Sequence, residues 1–108
     1  MIAVSRDVHM LTHEQIVQAV EKAAIKFPLT KVSYFGSYAD GRATEESDLD
    51  VLVEFGDDGS LTLLDIVRFK HNLENELSIS VDVVEIPLTE KAQKYLIIKK
   101  TVLVYERA

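Results

Sequence analysis

Cysteine is absent from the 108-residue chain. That rules out disulfides and thiolate metal sites, and it fits a cytoplasmic protein. Basic residues are outnumbered, with 12 Lys and Arg against 18 Asp and Glu, for a net charge of −6. Nucleic-acid backbones are bound by neutralising phosphates with lysine and arginine, so a free-standing nucleic-acid binder is not expected. A small-molecule site or a basic protein partner suits an acidic chain better. No apolar run approaches the ~20 residues of a membrane span. The first ten residues, MIAVSRDVHM, lack the apolar core of a signal peptide. Residues 1–10 read as a flexible lead-in, with Met10 as an alternative start, and residues 11–108 as one domain with a single core. Repeats, low-complexity tracts and interdomain linkers are also missing.

What is present is a clear alternation of helical and strand patterns. Residues 11–27 carry Thr12 and Gln15 at capping-box spacing, with Leu11 and Ile16 placed as a hydrophobic staple. Ile16, Val17, Val20, Ala23, Ala24 and Phe27 recur at helical spacing, and Pro28 ends the run. Residues 32–35 read as a strand closed by Gly36-Ser37, residues 37–42 as a short helix or turn, and residues 48–55 as a second strand. A Gly-Asp-Asp-Gly turn at 56–59 leads to a helix over 61–77, whose buried face is expected at Leu63, Ile66, Val67, Leu73 and Leu77. Residues 80–86 read as a third strand. A last helix is expected over 89–99, and a short strand over 101–105. The expected architecture is α/β (α+β), a small mixed sheet with helices on one face.

Three acids stand out. Strand side chains alternate faces, so Asp48 and Asp50 point one way while Leu49, Val51 and Val53 point to the core. Two acids side by side repel, and a divalent cation is the common way of offsetting that. Gly36-Ser37, at the end of a strand, offers backbone N–H groups and close approach to a phosphate. Taken singly, Gly-Ser is a turn signal and Asp-x-Asp a solvated strand start. In this order and this close, they describe a site for a metal–nucleoside triphosphate. Asp82 interrupts an otherwise apolar strand, which is costly unless the acid is paired or metal-bound. Glu54 shares the face of Asp50 but lies further along, Glu85 faces away from Asp82, and His9, His13 and His71 have no partner motif and read as bystanders.

The stretch GSYADGRATEESDLD resembles the Gly-Ser, ten residues, Asp-x-Asp signature of the DNA polymerase β-like nucleotidyltransferase superfamily, with Gly36-Ser37, Asp48 and Asp50 at matching positions. It is most similar to the minimal nucleotidyltransferases, and the resemblance covers residues 11–107. It implies the polymerase β-like nucleotidyltransferase fold and transfer of AMP from ATP with Mg2+. Asp48, Asp50 and Asp82 would be the catalytic and metal-binding acids, with Gly36, Ser37 and Arg42 on the nucleotide. It also implies a HEPN-domain toxin as partner, with a tyrosine on it as acceptor. A chain this short leaves no room for an acceptor domain, so a partner chain or a second copy is expected to complete the site. The family pattern Gly-Ser-x-Ala-Arg-Gly-Glu is broken, because Asp40 stands at the basic position and Arg42 at the acidic one. Two expectations stand: Arg42 reaches the triphosphate from its new place, or catalysis is weakened.

Two rivals follow. One is an antitoxin that acts by contact alone over a vestigial nucleotide site, favoured by the Asp40/Arg42 exchange and opposed by three intact acids, expected to be buried. The other is an aspartate-nucleophile phosphatase. There the Asp-x-Asp pair should follow the apolar run of its strand, whereas here it precedes Val51-Leu52-Val53.

Overall fold

The computed structural model describes residues 10–56, 60–87 and 100–107. Its elements run α1 (His13–Ala24), β1 (Lys31–Phe35), α2 (Ser37–Asp40), β2 (Leu49–Phe55), α3 (Leu63–Leu77), β3 (Val81–Pro87) and β4 (Val102–Glu106). The strands form one four-stranded sheet in the order β3-β2-β1-β4. β1 is antiparallel to β2 and to β4, whereas β2 and β3 are parallel. The expected mixed sheet is therefore observed. The helix expected over 89–99, the lead-in up to residue 9 and most of the 56–59 turn lie outside the described residues.

Local signals explain where the helices begin. Thr12 caps α1: its side chain accepts from the Gln15 N–H while Gln15 Oε1 accepts from the Thr12 N–H. Thr62 and Asp65 make the same reciprocal pair at the start of α3, a box that the sequence reading missed. Each arrangement satisfies two N–H groups that a helix start would otherwise leave bare. The apolar stripe of α1 buries Ile16, Val20, Ala23 and Ala24 as expected, with Ala19 beside them.

The buried face of α3 differs from the expected one. Ile66, Phe69 and Leu73 are buried, whereas Leu63 is 73% exposed and Val67 40% exposed. At ~100° per residue, Val67 lies more than a quarter turn from the middle of the Phe69–Leu73–Ile66 arc. Phe69 belongs to this arc. It is fully buried and meets Phe27 edge-on, with ring centroids 6.0 Å apart. The core thus lies between α1, α3 and one sheet face, to which Val32, Tyr34, Leu49, Val51, Val53 and Val81 contribute.

Candidate functional site

Alternation along the strands decides which side chains meet. Val32 and Tyr34 of β1 pair with Val53 and Val51 of β2, and Leu49 pairs with Val81 of β3. These residues all join the core under the helices. The intervening residues therefore face the other way, and one row of them crosses the sheet as Phe35–Asp50–Asp82. Asp50 and Asp82 are direct neighbours on adjacent strands, which run about 4.8 Å apart.

Several contacts from other elements hold this register. The Leu49 N–H donates to Ser80 O at 3.0 Å, locking the first residue of β2 to the approach to β3. The Val81 N–H donates to Glu74 Oε2 at 3.0 Å, so a half-buried carboxylate of α3 caps the start of β3. Asp48 lies just before β2, which begins one residue later than expected. It is delivered by a tight turn in which the Thr44 N–H donates to Ser47 Oγ at 2.8 Å and the Ser47 N–H to Thr44 O at 3.0 Å.

Burial of the acids also departs from expectation. Asp48 and Asp82 are exposed, and Asp50 is half-buried. β3 is an edge strand of the described sheet and the Asp82 side chain reaches water, so the cost of a buried acid does not arise there. Asp50 is the acid under pressure. Burial pushes its carboxyl above the ordinary range, and the negative charges of Asp82 and then Asp48 push it the same way.

The strand β1 ends at Gly36, whose φ of 71° and ψ of −147° fall in a region that essentially only glycine adopts. Gly36 is the N-cap of the one-turn helix α2, and Ser37 is its first residue. A methyl group built on Gly36 would overlap Asp50 Oδ2 and come within 3.2 Å of its Cγ. The glycine turn and the acid row therefore touch. Arg42 is engaged locally: its guanidinium donates to Asp40 Oδ2 at 2.8 Å, so the two exchanged residues pair with each other at the surface. Glu54 stands opposite Lys31, four residues beyond Asp50, or ~13 Å along the strand. It takes no part in the site, and Glu85 lies on the helix-facing side.

His13 makes a structural contact. Its Nδ1 lies 3.0 Å from the hydroxyl of buried Tyr34, the residue before Phe35. Burial keeps that phenol above its ordinary pKa and hence neutral. The Leu11 N–H donates to Tyr38 Oη at 3.3 Å. Together these bonds tie the start of α1 to the strand and helix that carry the glycine turn. The only sequence sign of them was the presence of two tyrosines flanking the Gly-Ser step.

Among the described residues, no three His, Asp or Glu side chains are close enough to form a metal cage. Mg2+ does not require one. It commonly uses one or two carboxylates, with the remaining positions taken by waters and substrate phosphates. Hard oxygen donors at Asp50 and Asp82, with Asp48 nearby, fit that pattern. None of the three acids makes an ion pair among those found in the described residues.

An open acid row thus lies beside a glycine-led helix start, on a mixed α/β sheet backed by helices. The model of the nucleotidyltransferase domain family matches residues 14–104, and the chain belongs to that family. A protein of Methanocaldococcus jannaschii, named provisionally as a protein adenylyltransferase, is 44% identical over 69 residues, which is 64% of this chain and 72% of the relative. A solved structure described provisionally as a minimal nucleotidyltransferase is 43% identical, with a TM-score of 0.56, covering 64% of this chain and 68% of that one. The same fold occurs in a toxin–antitoxin structure with AMP-PNP, at 18% identity and a TM-score of 0.65, covering 90% of this chain and 75% of that one. The expected polymerase β-like nucleotidyltransferase fold and the resemblance to minimal nucleotidyltransferases are borne out. Among the described residues, no helix is long and apolar enough to cross a membrane.

Proposed function

We propose that the protein transfers AMP from ATP to a hydroxyl of a protein partner, and that it acts as the antitoxin of that partner. The observation carrying this reading is the in-register Asp50–Asp82 pair set against the Gly36-Ser37 turn. Asp48 and Asp50 would hold Mg2+ against the triphosphate. When bound, the metal would neutralise phosphate charge and favour in-line displacement at the α-phosphorus. Ser37 Oγ and the backbone of the Gly36-Ser37 turn would grip the β- and γ-phosphates. The acceptor oxygen would bond to the α-phosphorus as the bond to the bridging oxygen breaks and pyrophosphate leaves. Asp82 would take the acceptor's proton or complete the metal set. Most of the rate gain would come from placement and electrostatics, because the protein has little covalent chemistry to do here.

The resemblance points to a HEPN-domain toxin as partner and a tyrosine on it as acceptor. The named relative is a provisional protein adenylyltransferase, and the fold neighbour is a toxin–antitoxin assembly holding an ATP analogue. The test is intact-mass spectrometry of a co-purified partner after incubation with Mg2+ and ATP. Addition of one or more AMP masses is expected. No addition to any partner would leave the second reading, an antitoxin acting by contact alone. The Asp40–Arg42 ion pair favours that reading, because it occupies the basic group next to the turn. The two readings also differ in whether Mg2+–ATP raises the melting temperature.

Arg42 can serve the triphosphate only by leaving Asp40. The surface ion pair is a weak restraint, with exposed pairs contributing at most ~1 kcal/mol. Arg42→Ala is therefore expected to weaken ATP binding by about 1–3 kcal/mol, the range for a charge-assisted hydrogen bond. Asp40→Ala, which frees the guanidinium, should leave binding equal or tighter. Calorimetric titration with ATP checks both, and wild-type affinity in Arg42→Ala would remove Arg42 from the site.

A further inference from the structure

We propose that Gly36 is a positioning residue for Asp50: its bare Cα is the seat of the Asp50 carboxylate, and it joins the phosphate turn and the metal-binding acid into one unit. This rests on the proposed nucleotidyl-transfer site. In such a turn, a glycine is ordinarily explained by the close approach of a phosphate. Here the space that a side chain would fill is already taken by Asp50 Oδ2, with Asp50 Cγ and Cβ at 3.2 and 3.5 Å from the position of a Cβ. Asp50 needs such a seat. Asp82 stands directly opposite it on β3 and Asp48 lies two residues before it, so like charges crowd it, and no ion pair among those found in the described residues engages it. Shape therefore holds what charge would push away. Phe35, opposite Asp50 on β1 and directly before Gly36, lies on the same sheet face.

Gly41 provides an internal control. Its φ is 75°, close to the 71° of Gly36, yet a Cβ built there meets nothing within 4 Å. Alanine at either position incurs backbone strain, but only alanine at 36 displaces the acid. Melting temperatures measured in EDTA for Gly36→Ala, Asp50→Ala and the double variant separate the two effects. Gly36→Ala should lower the melting temperature well beyond Gly41→Ala. In the Asp50→Ala background its loss should shrink to that of Gly41→Ala. If Gly36→Ala does not fold, a folded double variant supports the proposal, and an unfolded one overturns it.

Mn2+ alone, followed by electron paramagnetic resonance without nucleotide, gives a second readout. Gly36→Ala should bind Mn2+ at least tenfold more weakly, and Gly41→Ala within twofold of wild type. Equal melting losses in both backgrounds together with unchanged Mn2+ binding would overturn the seat. Absence of Mn2+ binding by the wild type would count against the metal site itself, while the melting cycle would still decide the role of Gly36.

Discussion

Asp48→Asn combined with Asp50→Asn is expected to abolish Mg2+–ATP binding and, at the same time, to raise the melting temperature of the nucleotide-free protein. Removing carboxylates from a folded protein more often does nothing or harm, so the pairing of outcomes is specific. The loss of binding follows from removing two hard oxygen charges that a cation would need. The gain in stability follows from the state of Asp50. Its carboxyl titrates above the ordinary 3.8 through burial, then Asp82, then Asp48. The native state therefore holds this proton more tightly than the unfolded chain does. The stability associated with the protonated form is fully present below the unfolded value and is lost as pH rises through the raised native one. Above that window the native protein carries the cost of a repelled, partly desolvated charge. Asparagine does not ionise, so the melting temperature should rise at neutral pH, and its dependence on pH above the ordinary carboxyl value of 3.8 should flatten. Titration calorimetry with Mg2+–ATP and melting curves across acid pH check the two halves. Unchanged affinity would remove the acid pair from the mechanism, and a lowered neutral-pH melting temperature would mean that Asp50 is stabilised by contacts that outweigh its repulsion.

The parts of this site that were legible in the sequence are those set by local pattern. Period-2 alternation placed Asp50 opposite Leu49 and Val51, and Asp82 opposite Val81 and Val83, and the register agrees. The capping box at Thr12 and Gln15 needs only four residues to form, and it stands. Contacts made by distant segments were illegible. Glu74 reaching the Val81 N–H depends on how α3 ends, in Ser78 at a positive φ of 60°. The His13–Tyr34 contact spans 21 positions and needs α1 packed across β1 before it exists. α3 shows why an apolar residue is not always a buried one. Leu63 and Val67 match the helical period loosely, but the packed arc is centred on Phe69 and Leu73, and only the partner surface decides that centre. Asp82 teaches the converse. An acid among valines looked expensive until the strand proved to be an edge, where its side chain reaches water.

Exposure also sharpens what Asp82 is expected to do. A side chain on an edge strand, beside Asp50 and open to solvent, is placed to meet a group arriving from outside. ATP can be held by the glycine turn and the Asp48–Asp50 side of the row. On the proposed reading, the acceptor hydroxyl comes in from the partner. A residue that helps only the acceptor contributes mainly in the transition state, so its loss should lower turnover more than it lowers ground-state binding of nucleotide. Asp82→Asn is therefore expected to bind Mg2+–ATP within a fewfold of wild type. Transfer of AMP to the partner should fall by roughly 10²–10³-fold, on the order of what a lost general base or electrostatic group costs. Asparagine keeps the size of the side chain, and the position is exposed, so the fold should be unaffected, and a melting curve serves as the control. Calorimetry gives the binding, and the mass of the partner over time gives the transfer rate. If Asp82→Asn labels the partner at the wild-type rate, Asp82 is a surface acid and the chemistry lies with Asp48 and Asp50. If it loses Mg2+–ATP binding as completely as the paired substitution does, Asp82 belongs to the metal set and not to the acceptor.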